Sequence, residues 1–170
     1  MTTLHPLLPG FLWREALSED LAFLDSILLE AIVLPEDATV THEEVWQDAG
    51  VRLYIEGWRR KKEWGLIAID NTTQTPAGAC WWRFWNEKKR GFGFVDEQTP
   101  ELCIALFSPY RGKGLGTAML RQLQTQAKEM GFGLSLSVES SNPALALYER
   151  LGFAKVAMLG TSWTMVWKGA

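Results

Sequence analysis

Apolar residues follow two different periods along this chain, and the changes of period predict a mixed series of strands and helices. Apolar residues at every second position, or in short unbroken runs, indicate strands, whereas apolar residues three or four positions apart indicate helices. The predicted strands cover 12–17, 65–70, 77–85, 102–107, 133–139, 153–158 and 162–167, and the predicted helices cover 19–35, 42–50, 115–130 and 143–151, with a further helical piece towards 58. This order, β-α-α-β-β-β-α-β-α-β-β, predicts an α/β fold with one sheet of mixed direction and a βαβ unit at its centre.

Residues that commonly cap helices mark several of the predicted ends. Ser18 can cap the first helix, and Thr41 with Glu44 has the Thr-x-x-Glu form of a capping box. Gly131 is placed to end the third helix, and Asn142 is placed to begin the fourth.

The segment from 101 to 117 joins the most apolar strand to the third helix through a glycine-rich turn. Residues 102–107 are apolar on both alternating faces, which is typical of a strand covered on both sides. Gly112, Gly114 and Gly116 follow. Glycines let backbone N–H groups approach a ligand closely, and a helix start carries unpaired N–H groups and a partial positive charge. We therefore expect an anion, most simply a phosphate, at this turn.

Composition favours one globular domain over residues 1–170, with 47% hydrophobic and 22% charged residues. A formal charge of −3 gives no basic surface for nucleic acid or an anionic membrane. The segment before Gly10 does not resemble a secretory signal, and no apolar run is long enough to span a bilayer. Cys80 and Cys103 lie in predicted strands and are interpreted as reduced thiols of a cytoplasmic protein. His5 and His42 lack metal-ligand spacing, so we expect no metal.

Two sequence motifs narrow the choice among phosphate-binding proteins. The turn fits neither the Walker pattern nor the dinucleotide fingerprint G-x-G-x-x-G. Instead, Arg111-x-x-Gly114-x-Gly116 resembles the pyrophosphate loop of the GNAT superfamily, the acyl-CoA-dependent N-acyltransferases. The segment 142–153, with Asn142, Leu147-Tyr148 and Gly152-Phe153, resembles the later signature of the same superfamily.

The resemblance implies a GNAT-like fold and a set of residues that bind acetyl-CoA. In this family the sheet splays between the strands that correspond to 102–107 and 134–139, and the pantetheine arm lies in the gap. The implied cofactor-binding residues are Leu106, Phe107, Arg111, Gly112, Lys113, Gly114, Leu115, Gly116, Thr117 and Asn142.

The implied reaction is transfer of an acetyl group to a primary amine of a small molecule or protein, by direct attack in a ternary complex. Tyr148 is the expected acid that protonates the leaving thiolate, because a phenol is neutral at pH 7. Glu101 is the expected base for the amine, with Asp96 and Glu97 as alternatives. An acyl intermediate on Cys103 is a further alternative, although no histidine lies near it in sequence to activate the thiol.

The acceptor is not readable from the motifs. We expect its pocket to involve the first two helices, the loop 35–40 and the segment 86–100, with aromatic walls from Trp58, Trp82 or Trp85 and a contribution from His42. Two alternatives remain open at this point, a catalytically silent acyl-CoA-binding module and an unrelated nucleotide-binding α/β protein. The resemblance also implies that a homodimer can form through exposed sheet edges.

Overall fold

The computed structural model of this protein describes residues 2–32, 37 and 39–170, except for the side chain of His42. The predictions that concern Pro35 and the His42 side chain lie outside these residues. The helices are α1 (Leu21–Leu28), α2 (His42–Gln47), α3 (Ala49–Arg52), α4 (Leu115–Met130) and α5 (Leu145–Arg150). The strands are β1 (His5–Leu8), β2 (Phe11–Glu15), β3 (Trp64–Asp70), β4 (Thr75–Arg83), β5 (Glu101–Leu106), β6 (Leu134–Glu139), β7 (Ala154–Leu159) and β8 (Ser162–Trp167).

All eight strands belong to one mixed sheet, in the order β1-β2-β3-β4-β5-β6-β8-β7. The predicted α/β class and the predicted order of elements are confirmed, with one strand added at the start. Sequence reasoning missed β1 because Pro6 and Pro9 interrupt that segment. Proline is compatible with an edge strand, and β1 pairs on one side only, with β2.

The helix ends are partly as predicted. The Thr41–Glu44 capping box is present, and Gly131 ends α4 with a φ of 86°. Ser18 does not cap the first helix; instead, the Asp20 carboxylate accepts the Leu17 N–H at 2.8 Å, and Ser18 begins a short 3-10 turn. The predicted second helix is divided at Asp48, whose side chain caps α3.

The sheet separates two apolar cores, and β5 contributes to both. Leu102, Ile104 and Leu106 pack on the side of α4, whereas Cys103, Ala105 and Phe107 pack on the side of α1. The prediction that β5 is apolar on both faces is therefore confirmed. No helix within the described ranges has the length and apolar character that a bilayer crossing would need.

The two parallel strands at the centre of the sheet separate soon after they begin. Strands β5 and β6 share a single paired position, Glu101 with Ser135, and the Ser135 N–H donates to the Pro100 carbonyl at 2.9 Å. We call the gap beyond this pair the seam. The predicted splay of the sheet between these two strands is thus confirmed.

Candidate active site

A cavity of about 160 Å³ fills the seam and reaches both faces of the sheet. On the α4 side its wall is formed by strand residues of β5 and β6, with Asn142 and Tyr148 beyond them. On the α1 side it is bounded by Glu101, Cys103 and an apolar group that we call the acceptor wall. The acceptor wall consists of Leu28, Ala31, Ile32, Val51, Tyr54 and Phe92.

Glu101 lies at the closed end of the seam, with only 1% of its surface exposed. Three donors converge on its carboxylate. The Tyr54 hydroxyl donates to Oε1, the Gly93 N–H donates to the same oxygen at 2.9 Å, and the Trp85 indole N–H donates to Oε2 at 2.8 Å. The carboxylate is therefore held in one orientation at the wall of the cavity.

Burial dominates the electrostatics of this carboxylate. It raises the pKa of Glu101 from 4.5 to about 7, although the hydrogen bonds from Tyr54, Gly93 and Trp85 lower it in part. A carboxyl group with this pKa exchanges its proton near neutral pH. That property is what a general base needs, since the best catalytic pKa lies near the working pH.

The segment over 91–93 covers Glu101 because two glycines allow close approach. A Cβ atom at Gly91 would lie 2.5 Å from the Trp85 indole nitrogen, and one at Gly93 would lie 2.6 Å from the Leu136 carbonyl carbon. The small side chains of Ser135 and Ser137 occupy the alternate positions of β6. The backbone at Gly93 therefore lies directly against the backbone of β6 at Leu136 and Ser137.

Tyr54 is fixed by groups that reach it from the sheet. Its carbonyl accepts the Trp81 indole N–H at 2.8 Å, and its hydroxyl accepts the Phe92 N–H at 2.8 Å. Arg83, fully buried in β4, donates to the carbonyls of Leu53, Glu56 and Gly57 and pairs with Glu63 at 2.9 Å. The turn that carries Tyr54 is thus tied to the strand next to β5.

Tyr148 lies at the cavity wall opposite the acceptor wall, with its ring packed edge-on to Phe153 at a centroid distance of 6.0 Å. Burial raises the pKa of its phenol, so the group stays protonated at neutral pH. Asn142 also lines the cavity, and its side-chain oxygen accepts the Ala144 N–H at 2.9 Å. Asn142 therefore stabilises the turn before α5, which begins at Leu145 and not at the predicted residue 143.

The glycine turn presents a row of backbone donors. Gly112 and Gly114 adopt φ values of 73° and 82°, which residues with a Cβ rarely adopt. Within the described part of the chain, the N–H groups of residues 112–117 have no acceptor, and the first helical bond runs from Ala118 to Gly114. Unpaired amides at the start of α4 fit a pyrophosphate group, which carries several acceptor oxygens.

Arg111 extends from this turn to the mouth of the seam. Its guanidinium donates to the Leu106 carbonyl at 3.1 Å and pairs with the Glu30 carboxylate at 2.9 Å. The Phe107 N–H donates to Ala77, and its carbonyl accepts from Tyr110. Because backbone groups alternate along an antiparallel pair, those of Ile104 and Leu106 point away from β4 and towards the seam. The backbone groups of Ile104 and Leu106, rather than those of Phe107, are therefore positioned to bond with an extended ligand in the seam, such as a pantetheine arm.

The structure does not bring every sequence candidate to the cavity. Asp96 and Glu97 are exposed, and the Asp96 carboxylate caps the N–H groups of Gln98 and Thr99. Trp82 lies in the opposite core, whereas Trp85 contacts Glu101 directly. Burial, assisted by the Glu101 charge, raises the pKa of the Cys103 thiol and disfavours its thiolate. No cluster of three His, Cys, Asp or Glu side chains suited to a metal occurs among the described residues.

Sequence reasoning missed Tyr54 and the covering role of Gly91 and Gly93. Tyr54 is 47 residues from Glu101, and no local pattern links the two. The pair of glycines around Phe92 was a local signal of close backbone packing, but it does not show which residue lies beneath it.

Comparison with known proteins identifies the family. The model of the acetyltransferase (GNAT) family matches residues 32–153. A mycothiol acetyltransferase of Corynebacterium glutamicum is 41% identical over 69 residues, which cover 37% of this chain and 24% of that protein. The chain therefore spans well under two thirds of that relative.

Solved structures of similar fold cover nearly the whole chain. The protein yncA of Salmonella typhimurium, solved with its cofactor acetyl-CoA, has a TM-score of 0.65 at 21% identity, over 93% of each chain. An N-acetyltransferase of Staphylococcus aureus has a TM-score of 0.65 at 19% identity, over 94% of this chain and 99% of that one. The spermidine/spermine N-acetyltransferase SpeG of Vibrio cholerae has a TM-score of 0.60 at 16% identity, over 95% and 94%. With its splayed sheet, glycine turn and matching family model, this chain belongs to the GNAT family of acetyltransferases.

Proposed function

We propose that this enzyme transfers an acetyl group from acetyl-CoA to a primary amine by direct attack within a ternary complex. The observation that carries the proposal is the seam cavity, where Glu101 and Tyr148 line one space. Strand β5 runs from this space towards the glycine turn, whose Arg111 is bonded to the Leu106 carbonyl. A base for the amine and an acid for the thiolate are both needed in this reaction, and they stand at different walls of one cavity. Acetyl-CoA is the co-substrate in this proposal.

The steps follow from the positions of these groups. The amine enters from the acceptor wall and gives its excess proton to the Glu101 carboxylate, directly or through one water molecule. The neutral nitrogen then forms a bond to the thioester carbonyl carbon. Attack leaves an oxyanion and one excess proton on the nitrogen of the tetrahedral intermediate. As the C–S bond breaks, Tyr148 protonates the departing thiolate, and its phenolate takes the excess proton from the nitrogen through water, which leaves a neutral amide. Glu101 returns its proton to solvent before the next cycle.

Backbone groups of β5 complete the proposed site. The N–H groups of Ile104 and Leu106 face the seam, where they can bind the pantetheine arm or the oxyanion of the tetrahedral intermediate. The amides of residues 112–117 would hold the pyrophosphate. Arg111, Lys113 and Thr117 stand at the same turn, and Arg111 would exchange its bond to the Leu106 carbonyl for the cofactor.

Replacing Gly114 by Asp is expected to weaken acetyl-CoA binding at least about tenfold, because a carboxylate would stand where the pyrophosphate binds. Isothermal titration calorimetry with acetyl-CoA measures the effect. Gly160→Asp is the matched control. Gly160 also has a positive φ, 61°, and open space around it, but it lies in the β7–β8 turn. Equal affinity of the two variants would show that the glycine turn does not hold the cofactor.

Turnover separates an enzyme from a silent acyl-CoA-binding module with the same fold. Release of free CoA in the presence of an amine supports the proposal, whereas tight binding of acetyl-CoA without release of CoA with any amine would favour the silent module.

We also propose a cytoplasmic location. Cys80 and Cys103 are free thiols, which is compatible with the reducing conditions of that compartment.

A homodimer through β7 is also proposed. This strand is the last of the sheet and is exposed along its whole length, with Val156, Met158 and Leu159 each about half or more exposed. Apolar edge strands readily pair with another chain. Sedimentation velocity is expected to show a dimer that Val156→Lys converts to monomer, and a monomeric wild-type protein would contradict the proposal.

A further inference from the structure

The chemistry of the acceptor wall restricts the amines that the proposed reaction can use. Its side chains are aliphatic or aromatic, and only Tyr54 carries a polar group. That hydroxyl is already engaged, since it donates to Glu101 and accepts from the Phe92 N–H. On the acceptor wall, an acceptor therefore meets an apolar surface next to the Glu101 carboxylate, whereas the polar groups of Ser137, Asn142 and Tyr148 lie at other parts of the cavity.

The charged groups around the cavity also favour an acceptor with a single ammonium group. Among the described residues that line the cavity, Glu101 is the single ionisable carboxylate. Two acidic side chains on the described elements next to this wall are occupied: Glu30 pairs with Arg111, and Asp48 caps the N–H groups of Gly50 and Val51. A second ammonium group that packs against this wall would lose water without a counter-charge from the described lining residues, which is unfavourable.

Phe92 marks the direction in which the non-reacting end of the acceptor extends. Its ring is 49% exposed, although it stacks on Tyr54 at a centroid distance of 6.2 Å with planes 19° apart. The backbone beside it is fixed, because the Phe92 N–H is bonded to Tyr54 and the Gly93 N–H to Glu101. An exposed but rigid aromatic ring at the mouth of a cavity offers apolar area to a ligand at little cost in side-chain freedom.

We propose that the acceptor is a primary monoamine with an apolar alkyl or aryl group, whose nitrogen lies at Glu101 and whose apolar group packs on Val51, Tyr54 and Phe92. The inference rests on the acetyl transfer proposed above. The cavity of about 160 Å³ has to hold the thioester end of acetyl-CoA as well as the reacting end of the acceptor. This size favours a slim acceptor, such as an unbranched alkylamine or a 2-arylethylamine, over a bulky polar one.

Two matched pairs of amines test the inference on the wild-type enzyme. Hexylamine and 1,6-diaminohexane share a six-carbon chain and differ by one ammonium group, and 2-phenylethylamine and ethylamine differ by the aryl group. The expected kcat/KM, measured by release of free CoA, is at least about tenfold higher for the first member of each pair. Equal or better use of 1,6-diaminohexane overturns the inference while leaving acetyl transfer intact.

Two further outcomes keep the inference separate from the proposed function. If calorimetry shows that acetyl-CoA binds but neither hexylamine nor 2-phenylethylamine is acetylated, the inference is wrong. If acetyl-CoA does not bind, the proposed function itself fails, and the inference fails with it. Acetylation of hexylamine and 2-phenylethylamine with the stated preference supports both.

A variant with an added negative charge on the acceptor wall tests whether the missing counter-charge causes the preference for a monoamine. Val51→Asp places a carboxylate on the wall and is expected to shift the preference at least about tenfold towards 1,6-diaminohexane. Val51→Asn is the control, since it has the same shape without the charge and should not produce that shift. An unchanged preference in a folded Val51→Asp protein contradicts the inference. If this variant does not fold, the wild-type comparison decides alone.

Discussion

Replacing Glu101 by glutamine is expected to lower kcat/KM for the amine about 10²–10⁴-fold, the range typical of a lost general base. Glutamine keeps the size of the side chain but cannot take a proton from the amine. Acetyl-CoA affinity should stay close to that of the wild type, because the glycine turn is untouched. A decrease in kcat/KM for the amine of less than about threefold would exclude Glu101 as the base.

The pH dependence provides a second measure of the same group. Only the ionised carboxylate can act as the base, so kcat/KM of the wild type should rise with pH through the Glu101 pKa of about 7. The Glu101→Gln variant should lose this step and keep only the rise that comes from the free amine near pH 10. A step near pH 7 that persists in the variant would assign it to another group.

Two other variants show whether the effect is specific to Glu101. Tyr148→Phe should lower kcat but retain the step near pH 7, because it removes the proposed acid and leaves the base. Asp96→Asn should retain nearly full activity, since Asp96 is exposed and only caps the turn at 98–99. A large loss of activity in Asp96→Asn would contradict the placement of the base.

Replacing Arg83 by methionine is expected to lower the free energy of unfolding by about 3–5 kcal/mol, the usual effect of breaking a buried ion pair. The change would leave the buried Glu63 carboxylate without its internal partner and would remove the donors to the carbonyls of Leu53, Glu56 and Gly57. Unfolding in urea, followed by tryptophan fluorescence, measures the difference.

Arg60→Met is the control for this experiment. Arg60 pairs with the same Glu63 carboxylate at 2.8 Å, but 45% of its side chain is exposed. Arg60 lies at the surface, and its removal leaves the buried Glu63 carboxylate paired with Arg83, so this variant should lose clearly less stability than Arg83→Met. Similar losses in both variants would show that the internal pair has no special role.

The centre of the fold could be predicted from the sequence because its signals are local. The two apolar faces of β5, the glycines at 112, 114 and 116 and the long stripe of α4 each depend on residues only a few positions apart. Backbone sterics and the helical period act over the same short range, so the βαβ unit and its turn follow directly. Tyr148 was predicted differently, from the resemblance of segment 142–153 to the later GNAT signature, and it lines the cavity.

The surroundings of Glu101 could not be predicted because they depend on contacts between distant segments. Tyr54 reaches Glu101 only through a turn held by Arg83 and Trp81, and nothing in the local sequence of either shows that arrangement. Strand β1 was missed for a different reason. Its proline disfavours a central strand, but the sheet has room for it at the edge.

The close packing of residues 91–93 on Glu101 limits the substitutions that can be accepted there during evolution. Any side chain at Gly91 or Gly93 would enter space held by Trp85, by the carboxylate or by the backbone of β6. Natural variants that keep a carboxylate at 101 should therefore keep glycine at both positions, while the intervening Phe92 stays free to change. Substrate range could then evolve at residue 92 without disturbing the carboxylate that we propose as the base.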